Sequence, residues 1–501
     1  MNIKLFTPSI KYHAVHNPFA RHLTRFSKVF YMSMTIVMLA SSCTLAPEYV
    51  KPASPIPHEW PQGEAYDDNT QKSSIYSNVA TLNWQNFFTD KRLQKIIYLA
   101  LENNRDLQIA ALNIERARGI YGLRRAEILP AINTNATGGE TRVPSELSRT
   151  GKATTEEQYS VNFGITSWEI DFFGRIRSLK EQALQEYLAT EQAKRIVQTA
   201  LISETARVYL TLGADSKNLK LSQNTLETQE NIYNLIRERY SVGLATEIEL
   251  HQAQTQLDTA DKNVSVYTQL TALDQNALNL LIGLSSPEEL LPQTLTDISV
   301  FEKLSAGLTS EILLNRPDIL QSEHQLKAAF ANIGAARAAF FPFISLTSTF
   351  GTASDELSGL FNSGSDTWTL SPTINLPIFD TRIWASLRVS ETDRKIAQTN
   401  YEKTIQIAFR EVADTLAVAG TIDQQLKSQK SIVYSTQTIY DLSSDRYLQG
   451  IDSYLSVLDA QRTLYTAQQD LVSLNLAKLA NHVKLYEVLG GGANEANDND
   501  K

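Results

Sequence analysis

Apolar residues return every seven positions along two stretches of this chain. Leu212, Leu219, Leu226, Tyr233 and Tyr240 form the first run; Leu426, Val433, Tyr440 and Tyr447 form the second, in the same register. A seven-residue apolar repeat marks a coiled-coil seam, narrower than the buried face of a globular helix. Each run ends at a lone glycine inside a near-copied segment. Arg239-Tyr240-Ser241-Val242-Gly243-Leu244-Ala245-Thr246 recurs 207 positions later as Arg446-Tyr447-Leu448-Gln449-Gly450-Ile451-Asp452-Ser453. Beyond the glycines, Leu250, Leu257 and Val264 are matched by Val457, Leu464 and Leu471, and Ala253-Gln254 by Ala460-Gln461. One glycine between two long helical patterns is how a tight helix-to-helix reversal is encoded. The pattern predicts two copies of a long antiparallel helical hairpin.

The flanking segments repeat as well. A helical stretch over Arg92–Ile128 stops at Leu129-Pro130, and Asn103/Asp106 and Pro130 reappear as Asn315/Asp318 and Pro342, each 212 positions on. The sequence then changes character. A short polar run from Ala131 to Gly139, and strict alternation of Tyr159, Val161, Phe163 and Ile165 with small or polar residues, predict two strands around a Ser/Thr/Gly/Lys loop. The second copy offers strands at Phe343–Thr352 and Thr367–Phe379. Gly174-Arg175 and Asp380-Thr381-Arg382 open the long helices; the first runs about 65 residues, or about 100 Å at the helical rise. The return helices run from Thr246 to Leu281 and from Ser453 to Leu489. Gly283–Thr296 links the copies, and Gly490-Gly491-Gly492 precedes an acidic tail whose composition suggests disorder.

Strands of roughly 10 residues match a tilted bilayer-spanning β-strand. Four of them cannot close a barrel, and an open edge in lipid leaves N–H and C=O groups unpaired at high cost. Strands must then be shared between copies, and three chains supply twelve. Tyr159, Trp168, Phe172, Phe340, Phe341, Trp368 and Phe379 near the strand ends fit interfacial girdles. The alternative is a water-soluble four-stranded sheet capping a helical bundle, with these aromatics as its core.

Composition adds the address. Of 501 residues, 21 are Gly and 15 Pro, few enough for long uninterrupted elements. Residues 1–42 hold Lys4, Lys11, Arg21, Arg25 and Lys28 but no acid, then an apolar run from Val29 to Ala40 ending at Ala40-Ser41-Ser42-Cys43. That is a signal peptide, too short in its apolar part to span a bilayer. The sole cysteine directly after small residues suggests a lipobox with Cys43 as the acylated residue; the alternative is an ordinary signal peptide with an incidental Cys. Removing the leader takes the net charge from −9 to −14. With no basic stripe, the acidic balance argues against nucleic acid. A single Cys excludes an internal disulfide and a cysteine zinc cage. Thr44 to Pro61 reads as a Pro-rich tether.

The quoted motifs now carry a resemblance. Cys-x-x-x-Pro-x-Tyr from Cys43, Trp168-Glu169-Ile170-Asp171-Phe172-Phe173-Gly174-Arg175, Asn315-Arg316-Pro317-Asp318, the stretch Ala335 to Pro342, and Leu455 to Gln461 resemble the TolC/OprM-like outer-membrane efflux channels, specifically the RND efflux outer-membrane lipoproteins of the NodT subgroup. The likeness covers Cys43 to about Gly492. It implies a membrane α+β fold: a homotrimeric twelve-stranded outer-membrane β-barrel, four strands per chain, continuous with a long periplasmic α-helical barrel. It also implies a periplasmic adaptor and an inner-membrane RND pump as partners, with outer-membrane lipid around the barrel. The domain order expected is signal peptide 1–42, tether and equatorial segment 43–91, first repeat 92–283, linker 284–310, second repeat 311–489 and tail 490–501.

The resemblance assigns Gly243, Leu244, Gly450 and Ile451 to adaptor-docking tips, and Leu455 and Asp459 to a periplasmic gate, as an apolar plug and a carboxylate ring. Arg446, Tyr447, Asp452, Arg239, Tyr240 and Glu249 lie near those tips and are candidate latch partners. No catalytic constellation appears: four of the seven His lie in the leader or tether, and His251, His324 and His482 stand apart, the first two on expected solvated faces. No enzyme, cofactor or metal site is expected. The function implied is a passive, gated exit duct for drugs or other small molecules. The alternatives are a duct for type I protein secretion or heavy-metal efflux, or a non-conducting coiled-coil structural lipoprotein.

Overall fold

A computed structural model describes residues 44–66, 83–295 and 309–491. Cys43, the leader and the acidic tail beyond Gly491 lie outside the described residues. The elements run α1 (Trp84–Phe87), α2 (Lys91–Asn103), α3 (Arg105–Ala126), β1 (Ile132–Val143), β2 (Thr154–Glu169), α4 (Arg175–Ser241), α5 (Glu247–Ile282), α6 (Pro317–Ala338), β3 (Phe343–Ser354), β4 (Asp366–Asn375), α7 (Thr381–Leu448) and α8 (Tyr454–Val488). Both long hairpins form where the heptads place them. The expected single helix over Arg92–Ile128 is two helices, because Asn104 is extended and caps α3 through Leu107 N–H at 3.1 Å. β4 ends at Asn375, short of the expected Phe379; Pro377, two residues on, offers no N–H to a ladder.

The chain divides into two compact units. The first comprises the residues up to Glu48, Gly122–Gln182 and Phe330–Glu391. Its centre is one antiparallel sheet in the order β1-β2-β3-β4. The two repeats meet at its middle, where β2 pairs with β3 and Phe163 lies opposite Phe350, their rings 5.9 Å apart and edge to face. The register slips between Ile165 and Trp168, with Ser167 at φ 51°, a bulge that bends β2. β1 and β4 are edges, and almost every side chain on them is exposed on both faces. A sheet that buries neither face of its edge strands within one chain is a sheet waiting for neighbours. Part of the expected aromatic girdle packs at home: Phe173 stacks on Phe341 at 4.7 Å, and the Trp168 indole donates to Ile128 O at 3.2 Å. Trp368 and Phe379 stay exposed.

The second unit comprises Tyr49–Tyr121, Ala183–Ala329 and Thr392 to the end. Leu93, Ile96, Ile97 and Ala100 form the buried stripe of α2 at helical spacing. Beside them Phe87 stacks on Tyr486 at 4.5 Å. Most seam residues of the heptads are buried or half-buried, as expected; Tyr240 is the exception and is exposed. Near the helix end the packing position passes to Ile236. His324, expected on a solvated face, is half-buried and hydrogen-bonded to Gln185 Oε1 at 2.7 Å, and burial pushes its pKa down. His251 is exposed as expected.

One half-buried pair is not legible in the sequence. Asp215 on α4 and Asp274 on α5 face each other, and burial, then the charge of Asp215, pushes Asp274 up from 3.8 to about 6. A folded pKa above the unfolded one stabilises most below the unfolded value and is lost as pH rises through the folded value. Asp274→Asn keeps a hydrogen-bonding group without the charge. It is expected to raise the melting temperature at pH 7.5 by a few degrees, on the order of 2–4 °C, and to leave it unchanged at pH 4. Identical pH dependence of melting in variant and parent would dismiss the pair as a determinant.

Candidate functional site

The hairpin turns are two copies of one motif. At the first, Leu244 N–H reaches Arg239 O at 2.8 Å and Gly243 N–H reaches Tyr240 O at 3.0 Å. At the second, Ile451 N–H reaches Arg446 O and Gly450 N–H reaches Tyr447 O, both at 2.9 Å. Each is a six-to-one bond enclosing a five-to-two bond, the Schellman C-cap. The enclosed residue must be left-handed, and Gly243 (φ 76°) and Gly450 (φ 74°) are. The exits differ. Thr246 starts α5 with a complete capping box, its N–H and that of Glu249 bonded to each other's side chains at 2.7 and 3.2 Å. Ser453 starts α8 without a side-chain cap.

Around these turns lies a small apolar cluster. Ile236, Ala253, Tyr447, Tyr454, Val457 and Leu458 are buried together, with Tyr233, Leu250 and Tyr440 against them. It joins the end of α4 to the ends of α7 and α8, so the two hairpins clasp each other at their tips. Arg239 lies over the Tyr447 ring at 5.3 Å, and Tyr447 packs at 5.3 Å from Tyr454. Burial pushes the Tyr447 hydroxyl up, Arg239 pulls it back and Glu249 raises it. Burial also pushes the Tyr454 hydroxyl up, and that group has no hydrogen-bond partner among the described residues.

Of the candidate latch residues, the structure brings Arg239, Tyr447 and Glu249 together, though Glu249 is also committed to its capping box. Arg446 pairs instead within its own turn, Nε to Asp452 Oδ2 at 2.6 Å, and that hydrogen bond holds the Asp452 carboxyl below its ordinary range. Tyr240 is exposed and stands outside the cluster. Leu455 and Asp459 are exposed on α8, one turn apart, on the side away from the cluster that holds Tyr454, Val457 and Leu458. Asp459 has no side-chain partner among the described residues. Leu244 and Ile451 are also exposed, with Val242 and Ile248 beside the first turn. No cluster of potential metal ligands occurs among the described residues, and none of the described helices is long and apolar enough to cross a membrane.

An edge-open four-stranded sheet, duplicated hairpins and paired glycine-capped tips define a class: the barrel-forming subunit of an outer-membrane channel. The chain belongs to the outer membrane efflux protein family, which it matches over residues 96–284 and 308–491. It is 44% identical over 455 residues to the probable efflux pump outer membrane protein TtgC of Pseudomonas putida, spanning 91% of this chain and 93% of that one. It is 36% identical over 465 residues to the outer membrane protein OprJ of Pseudomonas aeruginosa, spanning 92% and 96%. Its fold superposes on the open state of the Neisseria gonorrhoeae MtrE outer membrane channel with a TM-score of 0.80 at 35% identity, covering 90% of this chain and 99% of that one. The four strands are thus one third of a trimeric twelve-stranded barrel, and the protein is an outer-membrane efflux component.

Proposed function

We propose that the protein is the passive exit duct of a tripartite RND-type pump, docked through its helical tips to a periplasmic adaptor and anchored by an acylated Cys43. The duct performs no catalytic step; energy comes from the inner-membrane partner. The observation that carries this reading is the pair of matching tips, each presenting an exposed aliphatic residue, Leu244 or Ile451, immediately after a left-handed glycine. Such a surface suits a partner that must bring its own backbone close and cover apolar groups. α3, with no buried residue along its 22, and the bare edges of β1 and β4 support assembly with further copies of the chain. The substrate is selected by the pump.

Gly243→Val and Gly450→Val test the docking. No atom lies within 4 Å of an added Cβ at either site, so the penalty is backbone strain alone, roughly 1–2 kcal/mol for a left-handed residue with a side chain. Trimers are expected to survive in gels while co-purification of the adaptor and resistance to exported compounds both fall. Full export by both variants would remove the tips from the docking site.

A further inference from the structure

At the helix-facing end of the sheet lies a cavity of about 260 Å³. Its wall includes Phe172, Phe173, Phe341, Phe343, Ile344 and Ala338. The charged groups of the wall are already satisfied by neighbours. Arg175 pairs with Glu169, Nε to Oε1 at 2.9 Å, and Asp171 accepts from Arg177 N–H at 2.9 Å and Nε at 3.2 Å. What the cavity leaves without a partner is apolar surface. Phe341 and Phe343 are each still about two-fifths exposed.

The first described residues of the chain lead toward it. Ala46 crosses α6 at Gly334, where an added Cβ would meet Ala46 at 2.8 Å and Ser178 Oγ at 2.5 Å, so only glycine leaves room for the crossing. One residue back, Leu45 O accepts from Arg337 Nη1 at 3.2 Å. The tether thus lies against the Gly334 face of α6, and Ala338, one turn further along that same face, lines the cavity. Cys43 lies two residues before Leu45, and two residues of chain reach at most about 7 Å. Gly334 to Ala338 covers about 6 Å at the helical rise. The reach matches.

We propose that an acyl chain carried by Cys43 occupies this cavity, seated on the Phe172, Phe173, Phe341 and Phe343 rings. The proposal rests on the reading of Cys43 as acylated. It gives the Arg337–Leu45 contact and the bare Cα of Gly334 a common purpose: they aim the tether so that the first methylenes of the anchor meet protein before they meet bilayer. Burying them in an aromatic pocket removes them from water as lipid does, while fixing the anchor's position on the barrel.

The test feeds cells a palmitate analogue carrying a photoreactive diazirine and an alkyne, irradiates intact membranes, and maps the cross-linked peptides of the full-length protein by mass spectrometry. The expected product joins the Cys43 peptide, through one acyl chain, to peptides containing Phe172-Phe173 or Phe341–Phe343. Arg337→Gln, which releases Leu45, is expected to lower its yield several-fold. An unlabelled Cys43 would defeat the acylation reading itself, and this proposal with it. A labelled Cys43 whose cross-links fall only on phospholipid or on other peptides would overturn the proposal and leave the anchor standing. Cavity peptides joined to an acyl chain bearing a glycerophosphate mass would assign the cavity to a membrane lipid and overturn it equally.

Discussion

Arg316→Met is expected to destabilise the second unit by about 3–5 kcal/mol, the cost typical of breaking a buried ion pair on one side. The guanidinium is nine-tenths buried and serves three partners. Nη1 donates to Val488 O at 2.7 Å, Nη2 to Asp318 at 2.7 Å and to Glu411 at 3.0 Å. Burial alone would lower its pKa; the two carboxylates outweigh that and hold it raised. Methionine fills the space but leaves Asp318 and Glu411 facing each other without a cation, and strips the donor from the last turn of α8. Arg316→Lys keeps the charge and loses the fork, so an intermediate loss is expected. The comparison that makes this decisive lies in the other repeat. Asn104, 212 positions earlier, donates Nδ2 to Leu281 O at 2.9 Å, two residues before Gly283, just as Arg316 meets Val488 O two residues before Gly490. Asn104→Ala removes a neutral hydrogen bond and a helix cap and is expected to cost only about 1–2 kcal/mol. Denaturant midpoints of the three variants order the effects; an Arg316→Met midpoint equal to the parent's would show that the clamp carries no stability.

That pair of residues shows where the sequence is readable and where it stops. The duplication, the heptads and the two tips are periodic, so a single chain displays them twice and the second copy checks the first. An offset of 212 aligns Asn103 with Asn315 and Asp106 with Asp318, and one of 207 aligns the two turns. What the offset hid is that Asn104 and Arg316 do the same job with different chemistry, since an amide and a guanidinium share no pattern a repeat search can see. Asp215 and Asp274 are equally silent: an acid on a long amphipathic helix is ordinarily solvated, and only the fold brings these two carboxylates within each other's influence. Tyr240 failed for a related reason. The heptad assigns it to the seam, but at the end of a hairpin the seam has no further turn to face, and Ile236 closes the cluster instead. Gly334 sits in a helix that reads as continuous, and nothing local reveals that the tether crosses there. Pairings that depend on which helices meet are tertiary facts, and periodicity does not encode them.

The second large effect is expected at the tips, where we propose that Leu455 and Asp459 form the closed constriction. Tyr454, Val457 and Leu458 hold α8 to its own chain. Leu455 and Asp459 share the opposite side, one turn apart, and are exposed within a single chain. Around a threefold axis that side presents a ring of three aliphatic groups and, about 6 Å further from the tip at the helical rise, a ring of three carboxylates. Three like charges across a narrow opening attract cations and resist further approach. Asp459→Ala is therefore expected to reduce cation selectivity in planar bilayers with little change in conductance. Leu455→Ala is expected to raise conductance and to make cells more sensitive to large antibiotics. The contacts that hold the tip closed are weak by design of their exposure. An Arg–Tyr contact like that of Arg239 and Tyr447 is worth about 0.5–1 kcal/mol, so Arg239→Ala alone shifts the closed-to-open ratio only about two- to fivefold. The Arg446–Asp452 pair lies within the α7–α8 turn and does not bridge the two hairpins. Removing the Tyr447 ring as well, as Arg239→Ala with Tyr447→Ala, is expected to open the channel well beyond Arg239→Ala alone, because that ring also packs in the cluster that joins the two hairpins. Measured conductances decide it. If Leu455→Ala, Asp459→Ala and the double variant all conduct and select as the parent does, the constriction lies elsewhere along the tube.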